Sequence, residues 1–100
     1  MIIHATTATV KSGKFAQMRE WAQKVTSMVQ ESHGIEVTVL RNVAGSGDEW
    51  HFMSTHDSLA AVEAYTDALN ADPQFMALVA DATANELWRA TRNSIFRSAF

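Results

Sequence analysis

The chain has 100 residues and a mass of 11.0 kDa, a length that predicts a single domain spanning residues 1–100. Hydrophobic residues make up 47% of the chain and charged residues 19%, a globular composition that excludes intrinsic disorder. The chain has no cysteine, which excludes disulfides, thiolate metal sites and cysteine nucleophiles. A net charge of −3 argues against nucleic-acid and membrane-surface partners. Because Met1–His4 lacks the start of a signal peptide, we expect a cytoplasmic protein.

The first quarter of the chain predicts a strand followed by a helix. Residues 2–11 are rich in Ile, Thr and Val and contain no helix breaker, which is typical of a strand. From Phe15 to Val29 the apolar residues recur at helical spacing, and Ser12 or Gly13 is placed to start that helix. Gly34 suits the left-handed position that ends a helix.

Three further strands are predicted by alternating or β-branched patterns. Residues 35–42 alternate with a period of two, and residues 50–55 form a second such run after the glycine-containing loop 44–48. The short loop between the two runs predicts a β-hairpin. Residues 86–100 predict a last strand with a C-terminal extension, whose role the sequence leaves open.

The segment between the hairpin and the last strand predicts two consecutive helical pieces. Asp57 and Ser58 are helix-capping residues that precede an apolar run, so the first piece covers about residues 58–70. The only proline, Pro73, follows Asp72 and is placed to begin a second piece over about residues 73–85.

The predicted order, β-α-β-β-α-β, indicates an α+β fold of the ferredoxin-like type. Right-handed crossovers then give a four-stranded antiparallel sheet with the helices on one face. The first strand carries apolar groups on both faces, with Ile3 and Ala5 opposite Ile2 and Ala8. A monomer would therefore expose an apolar sheet face, and we expect a homodimer whose two sheets pack face to face as a barrel.

The sequence resembles the dimeric α/β-barrel superfamily, in particular antibiotic-biosynthesis-monooxygenase-like and NIPSNAP-like small proteins. The resemblance rests on the strand that runs into Lys11-Ser12-Gly13-Lys14-Phe15, on the hairpin, on Ser54-Thr55-His56-Asp57-Ser58-Leu59-Ala60-Ala61, and on Asp72-Pro73-Gln74-Phe75. It implies a site in an apolar cleft between the helices and the sheet. Members of the superfamily include cofactor-free monooxygenases, haem-degrading enzymes, lactone isomerases and dehydratases, so the resemblance implies a fold more specifically than a reaction.

Whether this chain resembles the haem-degrading branch of the superfamily can be tested by comparing the site residues of that branch with the matching positions here. Its first-strand Asn falls at Thr6, its third-strand Trp near Ser54, and its haem-ligating His near Val79. None of the three residue types is kept. We therefore expect no haem and no other cofactor, and four histidines without chelating spacing predict no metal site.

The candidate catalytic residue is His4, which shares a strand face with Thr6. On the resemblance, that face looks into the cleft, where an imidazole can act as a general base. The competing interpretation is a buried histidine satisfied by a neighbouring strand or helix. The residues predicted to bind a ligand are Thr6, Met18, Trp50, Phe52, Ser54, Tyr65, Phe75, Val79 and Trp88.

Two functions follow from these candidates. The first is binding of an apolar small molecule, a fatty-acid-like or aromatic carboxylate or ketone, with a rim arginine (Arg41, Arg89 or Arg92) available for a carboxylate. Such a cleft can also support a cofactor-independent oxygenase or isomerase, and whether the protein is an enzyme stays open. The second function is that of a non-catalytic structural or stress-type dimer.

His56 is not among the candidate site residues. Because it stands beside Asp57, it is interpreted as part of a turn cluster.

Overall fold

The structure is a computed structural model that describes all residues 1–100. Its elements are β1 (Ile2–Val10), α1 (Phe15–His33), β2 (Thr38–Arg41), β3 (Glu49–His56), α2 (Leu59–Asn70), α3 (Pro73–Ala84) and β4 (Trp88–Arg97). This order confirms the predicted fold class, including the division of the later helical segment into α2 and α3. β2 is shorter than predicted because only residues 38–41 pair with β3, whereas Ile35 and Val37 pack against the core. None of the three helices combines the length and the apolar composition that a membrane span needs.

The four strands form one antiparallel sheet in the order β2-β3-β1-β4, the ferredoxin-like arrangement. β1 is central, and its register with β3 pairs His4 with Ser54 and Ile2 with His56. Because strand side chains alternate between faces, the even-numbered residues of β1 and β3 share one face. This shared face is the one the helices cover.

The hydrophobic core lies between the helices and the sheet. Its buried members from the sheet are Ala8, Val10 and Trp50. Helix α1 supplies half of the cluster with Met18, Trp21, Ala22, Val25, Met28 and Val29, and Leu69, Ala82 and Leu87 complete it. The spacing of the α1 residues is the helical periodicity visible in the sequence, so burial of that stripe is what fixes α1 on the sheet.

Capping residues explain where the helices begin and end. Gly34 has a φ of 67° and donates its backbone N–H to the Gln30 carbonyl, which ends α1 as predicted. Asp72 and Ser58 cap α3 and α2 by accepting backbone N–H groups, also as predicted. Ser12 does not cap α1, because Gly13 with a φ of 83° forms a turn and the helix begins without a side-chain cap.

The second sheet face carries no helix, and we call it the open sheet face. It presents Ile3, Ala5, Thr7, Leu40, His51, Met53, Arg92 and Phe96. One part is polar: His51 bonds Thr7 Oγ1 at 2.9 Å and Asn42 Oδ1 at 2.6 Å, and Arg92 pairs with Glu49 at 2.9 Å. The rest of the face is mostly apolar around Ile3, Met53 and Phe96, which is 51% exposed. Leu40, 45% exposed, lies on the β2 edge beside His51.

Candidate functional site

A cleft of about 240 Å³ lies between the sheet and all three helices. The sheet contributes His4, Thr6 and Ala8 from the middle of β1 and Thr91 from β4. The remaining wall is mostly apolar and consists of Trp21, Val25, Thr26, Val29, Val37, Phe52, Tyr65, Leu69, Phe75, Val79 and Trp88. A concave space with an apolar wall and few polar groups is typical of a small-molecule site.

Aromatic rings make one side of the cleft rigid. The Trp21 ring meets Phe52 and Trp88 edge to face, with ring centroids 5.9 Å and 5.1 Å apart. The indole Nε1–H of Trp21 donates to the Leu78 carbonyl at 2.7 Å, which ties α1 to α3. Three aromatic side chains are therefore held in place by contacts with one another rather than by a ligand.

A polar cluster of His4, Ser54, His56 and Tyr65 lies beside the cleft, and His4 and Tyr65 are the two members that line it. Ser54 Oγ and His56 Nε2 are hydrogen-bonded at 2.8 Å, and both residues are buried. The Tyr65 ring from α2 lies 4.8 Å from the His56 ring and 6.1 Å from the His4 ring, centroid to centroid. His4 forms no side-chain hydrogen bond within the chain, so its imidazole is free to bind a ligand atom.

Burial keeps the polar cluster uncharged at neutral pH. Desolvation lowers the pKa of His4 below its ordinary 6.5, and the nearby His56 lowers it further. Desolvation also lowers the pKa of His56, although Asp57 opposes that shift. The pKa of the Tyr65 hydroxyl is raised by burial, with Ser54 acting in the opposite direction. The His4 imidazole can thus accept a proton or hydrogen bond, and Tyr65 keeps a proton to donate.

The structure brings most of the predicted site residues together. His4, Thr6, Phe52, Tyr65, Phe75, Val79 and Trp88 line the cleft. Ser54 does not line the cleft and is hydrogen-bonded to His56. Met18 and Trp50 lie instead in the core, where they are 0% and 5% exposed, and Trp50 borders a different hollow near β2.

His56 was interpreted as part of a turn cluster beside Asp57, and the structure shows more than that. Its side chain is buried, lies against the Tyr65 ring and is hydrogen-bonded to Ser54, although it does not line the cleft. The signal was the even spacing of Phe52, Ser54 and His56, which places all three on one strand face.

The arginines and remaining histidines lie outside the cleft. Arg89 pairs with Asp48 and Arg92 with Glu49, both at 2.9 Å, so the basic C-terminal strand pairs with the acidic middle of the chain. His33 bonds Asp72 Oδ2 at 2.7 Å, linking the end of α1 to the start of α3. No arginine or lysine lines the cleft, and no three His, Asp or Glu side chains converge to hold a metal ion.

The sequence profile of the NIPSNAP family matches residues 6–99. The chain belongs to the NIPSNAP family. No curated protein matches the sequence. The NIPSNAP fold is seen in an uncharacterised NIPSNAP domain protein of Burkholderia xenovorans, which is 16% identical with a TM-score of 0.83 over 99% of this chain and 95% of that one.

Two further solved structures extend the comparison beyond that protein. A NIPSNAP family protein of unknown function from Agrobacterium tumefaciens is 20% identical, with a TM-score of 0.81 over 99% of this chain and 88% of that one. A putative antibiotic biosynthesis monooxygenase from Nitrosomonas europaea is 12% identical, with a TM-score of 0.72 over the full length of both chains. At these identities the likeness establishes the shared fold, which confirms the resemblance inferred from the sequence.

Proposed function

We propose that this NIPSNAP protein binds a neutral apolar small molecule that carries a carbonyl or phenol oxygen, such as an aromatic ketone. The observation that carries the proposal is an apolar cleft that ends in a free, uncharged imidazole. Burial of a hydrocarbon or ring in the aromatic wall supplies affinity, at roughly 25 cal/mol per Å² of apolar surface. His4 and Tyr65 supply the polar contacts that orient the oxygen.

A ketone or phenol fits the cleft better than a carboxylate. No guanidinium or ammonium lines the wall, so a buried carboxylate would have no fixed cation as a partner. The arginines considered for this role are paired with Asp48 and Glu49 or lie against other rings. A neutral ligand loses less hydration on entering, which favours it over the acid of the same size.

Catalysis on the bound molecule is the second candidate, favoured by the free imidazole. His4 would remove the proton from the carbon beside a ketone carbonyl, and the C–H electron pair would move to form an enolate. The Tyr65 hydroxyl, kept protonated by burial, is the group available to stabilise the enolate oxygen. Such a step underlies isomerisation, and it is also the first step of a cofactor-independent reaction with molecular oxygen.

Nile red, a neutral apolar dye, tests binding in the cleft. We expect its fluorescence to shift and saturate at one dye per chain, and acetophenone to displace it at lower concentration than benzoate. Val79→Phe fills the cleft and should weaken dye binding at least about tenfold, because the added ring occupies the ligand volume. Val43→Phe, at a fully exposed loop position, is the matched control and should bind like the wild type. Equal binding by both variants would refute a cleft site.

The same preparation tests catalysis. Acetophenone incubated with the protein in D₂O should exchange its methyl hydrogens faster than in buffer, and His4→Gln should abolish the increase while Nile red still binds. If the dye binds but hydrogen exchange is not accelerated, the proposal of binding stands and the proposal that His4 is catalytic is wrong.

A further inference from the structure

A second hollow, which we call the arginine hollow, lies between α1 and the β2 edge of the sheet. Its lining residues are Arg19, Ala22, Gln23, Thr26, Val39, Arg41 and Trp50, and its volume is about 240 Å³. Thr26 borders both this hollow and the cleft, so the two spaces lie on either side of one α1 side chain. The proposed function makes no use of the arginine hollow.

The Trp50 indole in this hollow is a donor without an acceptor. Trp50 is 5% exposed, and its Nε1 is the one buried side-chain nitrogen or oxygen in the structure that lacks a hydrogen-bond partner. Leaving a buried N–H unpaired costs folding free energy, and such groups in native proteins call for an explanation. The contrast is Trp21, whose indole N–H donates to the Leu78 carbonyl at 2.7 Å.

Neither of the two arginines in the hollow forms an ion pair with a carboxylate of the chain. Lys11, Arg89 and Arg92 each form an ion pair at 2.9 Å, whereas Arg19 and Arg41 form none, although the chain holds 11 acidic residues. The Arg41 guanidinium lies 5.1 Å from the Trp50 ring centroid and 5.6 Å from the Phe15 ring centroid. Stacking of this kind fixes the guanidinium and leaves its N–H groups free to bind an acceptor.

Acceptors are scarce in the hollow itself. No Asp or Glu lines it, and the Thr26 hydroxyl proton is already donated to the Ala22 carbonyl at 2.7 Å. The unused groups that line the hollow are therefore two guanidiniums and the Gln23 amide. The Trp50 Nε1 is enclosed, so its N–H reports on the hollow as a neighbour and is not counted as a ligand donor. A ligand that complements the unused groups must carry several acceptor oxygens and negative charge.

We propose that the arginine hollow binds a small oxyanion, a carboxylate or a phosphate, between Arg19 and Arg41 and beside the Trp50 ring. Guanidinium groups match the paired oxygens of both anions, and their charge offsets the loss of anion hydration. This site is separate from the cleft and takes the opposite kind of ligand, an acid rather than a neutral apolar molecule.

Two-dimensional ¹H–¹⁵N NMR of the three tryptophan indole N–H groups tests the proposal directly. The signals are assigned with Trp21→Phe, Trp50→Phe and Trp88→Phe, and the wild type is titrated with benzoate, inorganic phosphate and benzamide. We expect benzoate, phosphate or both to move the Trp50 signal saturably, while the hydrogen-bonded Trp21 signal stays in place. Benzamide has the shape of benzoate without its charge and should leave the Trp50 signal unmoved. The tighter of the two anions identifies the ligand as carboxylate or phosphate.

Arginine variants locate the anion. Arg19→Gln and Arg41→Gln should each weaken binding roughly tenfold or more, because each removes a charge-assisted hydrogen bond. Arg97→Gln is the matched control, since Arg97 is exposed, forms no ion pair and lies on β4 away from the hollow. An unchanged Trp21 signal shows that each variant is folded.

Several results would overturn the proposal: no saturable shift with either anion, an equal shift with benzamide, or equal weakening by Arg97→Gln. None of these results tests ligand binding in the cleft, because that binding is measured separately with Nile red and the Val79→Phe variant. Failure of the arginine hollow and failure of the proposed function are therefore distinguishable.

Discussion

At the scale of single residues, the buried histidine pair makes stability depend on pH in a defined direction. Folding lowers the pKa of His4 and His56 below the ordinary 6.5, so the unfolded chain takes up protons first as the pH falls. The stability of the folded state is therefore full above pH 6.5 and is lost as the pH falls through 6.5 toward the lowered pKa values. We expect the urea midpoint to fall between about pH 7.5 and about pH 5.5.

A double variant isolates the histidines in this measurement. His4→Gln with His56→Gln should flatten the pH dependence, whereas Thr6→Val, a cleft change without a titrating group, should keep it. The pKa values of Glu49, Asp72 and Glu86 are lowered from already acidic ones, so these carboxylates lose their contribution only at more acidic pH. If the urea midpoint changes with pH equally in the double variant and the wild type, groups other than His4 and His56 cause the pH dependence.

Strand alternation explains which site residues the sequence could predict. It placed His4 and Thr6 on one face, which the family resemblance assigned to the cleft, and the same rule, carried to the end of β3, would have put His56 on a face with Phe52 and Ser54. Alternation fixes the face of a side chain but not its position along the cleft. Trp50 shares a face with Phe52, yet its pairing with Arg41 at the β2 edge puts it in the arginine hollow instead. The sequence held no signal for that pairing.

At the scale of secondary structure, the start of α2 depends on one hydrogen bond. The Ser58 hydroxyl accepts the backbone N–H of Ala61 at 3.1 Å, and α2 carries Tyr65 over the polar cluster. We expect Ser58→Ala to lower the free energy of unfolding by about 1 kcal/mol, measured by urea denaturation, because the N–H loses its acceptor. Ser12→Ala is the control, since α1 begins without a side-chain cap, and it should change stability little. Equal losses would mean that Ser12 caps α1 in solution.

The two serines also show why the type of a capping residue does not by itself fix where a helix begins. Gly34 and Pro73 act through their own backbone restrictions, so residue type alone was sufficient for them. A serine caps only when its own backbone is extended, as Ser58 is with a φ of −154° and ψ of 166°. The turn at Gly13 takes Ser12 out of reach of α1, and that turn depends on packing beyond the local sequence.

At the scale of the whole molecule, the open sheet face leaves apolar side chains uncovered. We propose that a second copy of the chain covers this face. The helices bury one sheet face, while Leu40 and Phe96 on the other stay about half exposed. Large apolar side chains exposed on both edges of one sheet face are unusual in a monomer, and a two-fold axis would let that face cover itself. The sequence predicted this face from alternation alone. What it could not supply is the polar network of His51, Asn42 and Glu49 beside the apolar side chains.

Sedimentation of the purified protein checks the dimer. The wild type should sediment with twice the 11.0 kDa chain mass at micromolar concentration. Phe96→Glu places a charge in the apolar part of the open sheet face and should weaken self-association at least about tenfold, because the carboxylate would be buried without a partner. Leu59→Glu is the matched control: Leu59 is 50% exposed like Phe96 but begins α2, and its variant should stay dimeric. A monomeric wild type would contradict the dimer. Nile red binding would be unaffected by that result, because one chain supplies every wall of the cleft.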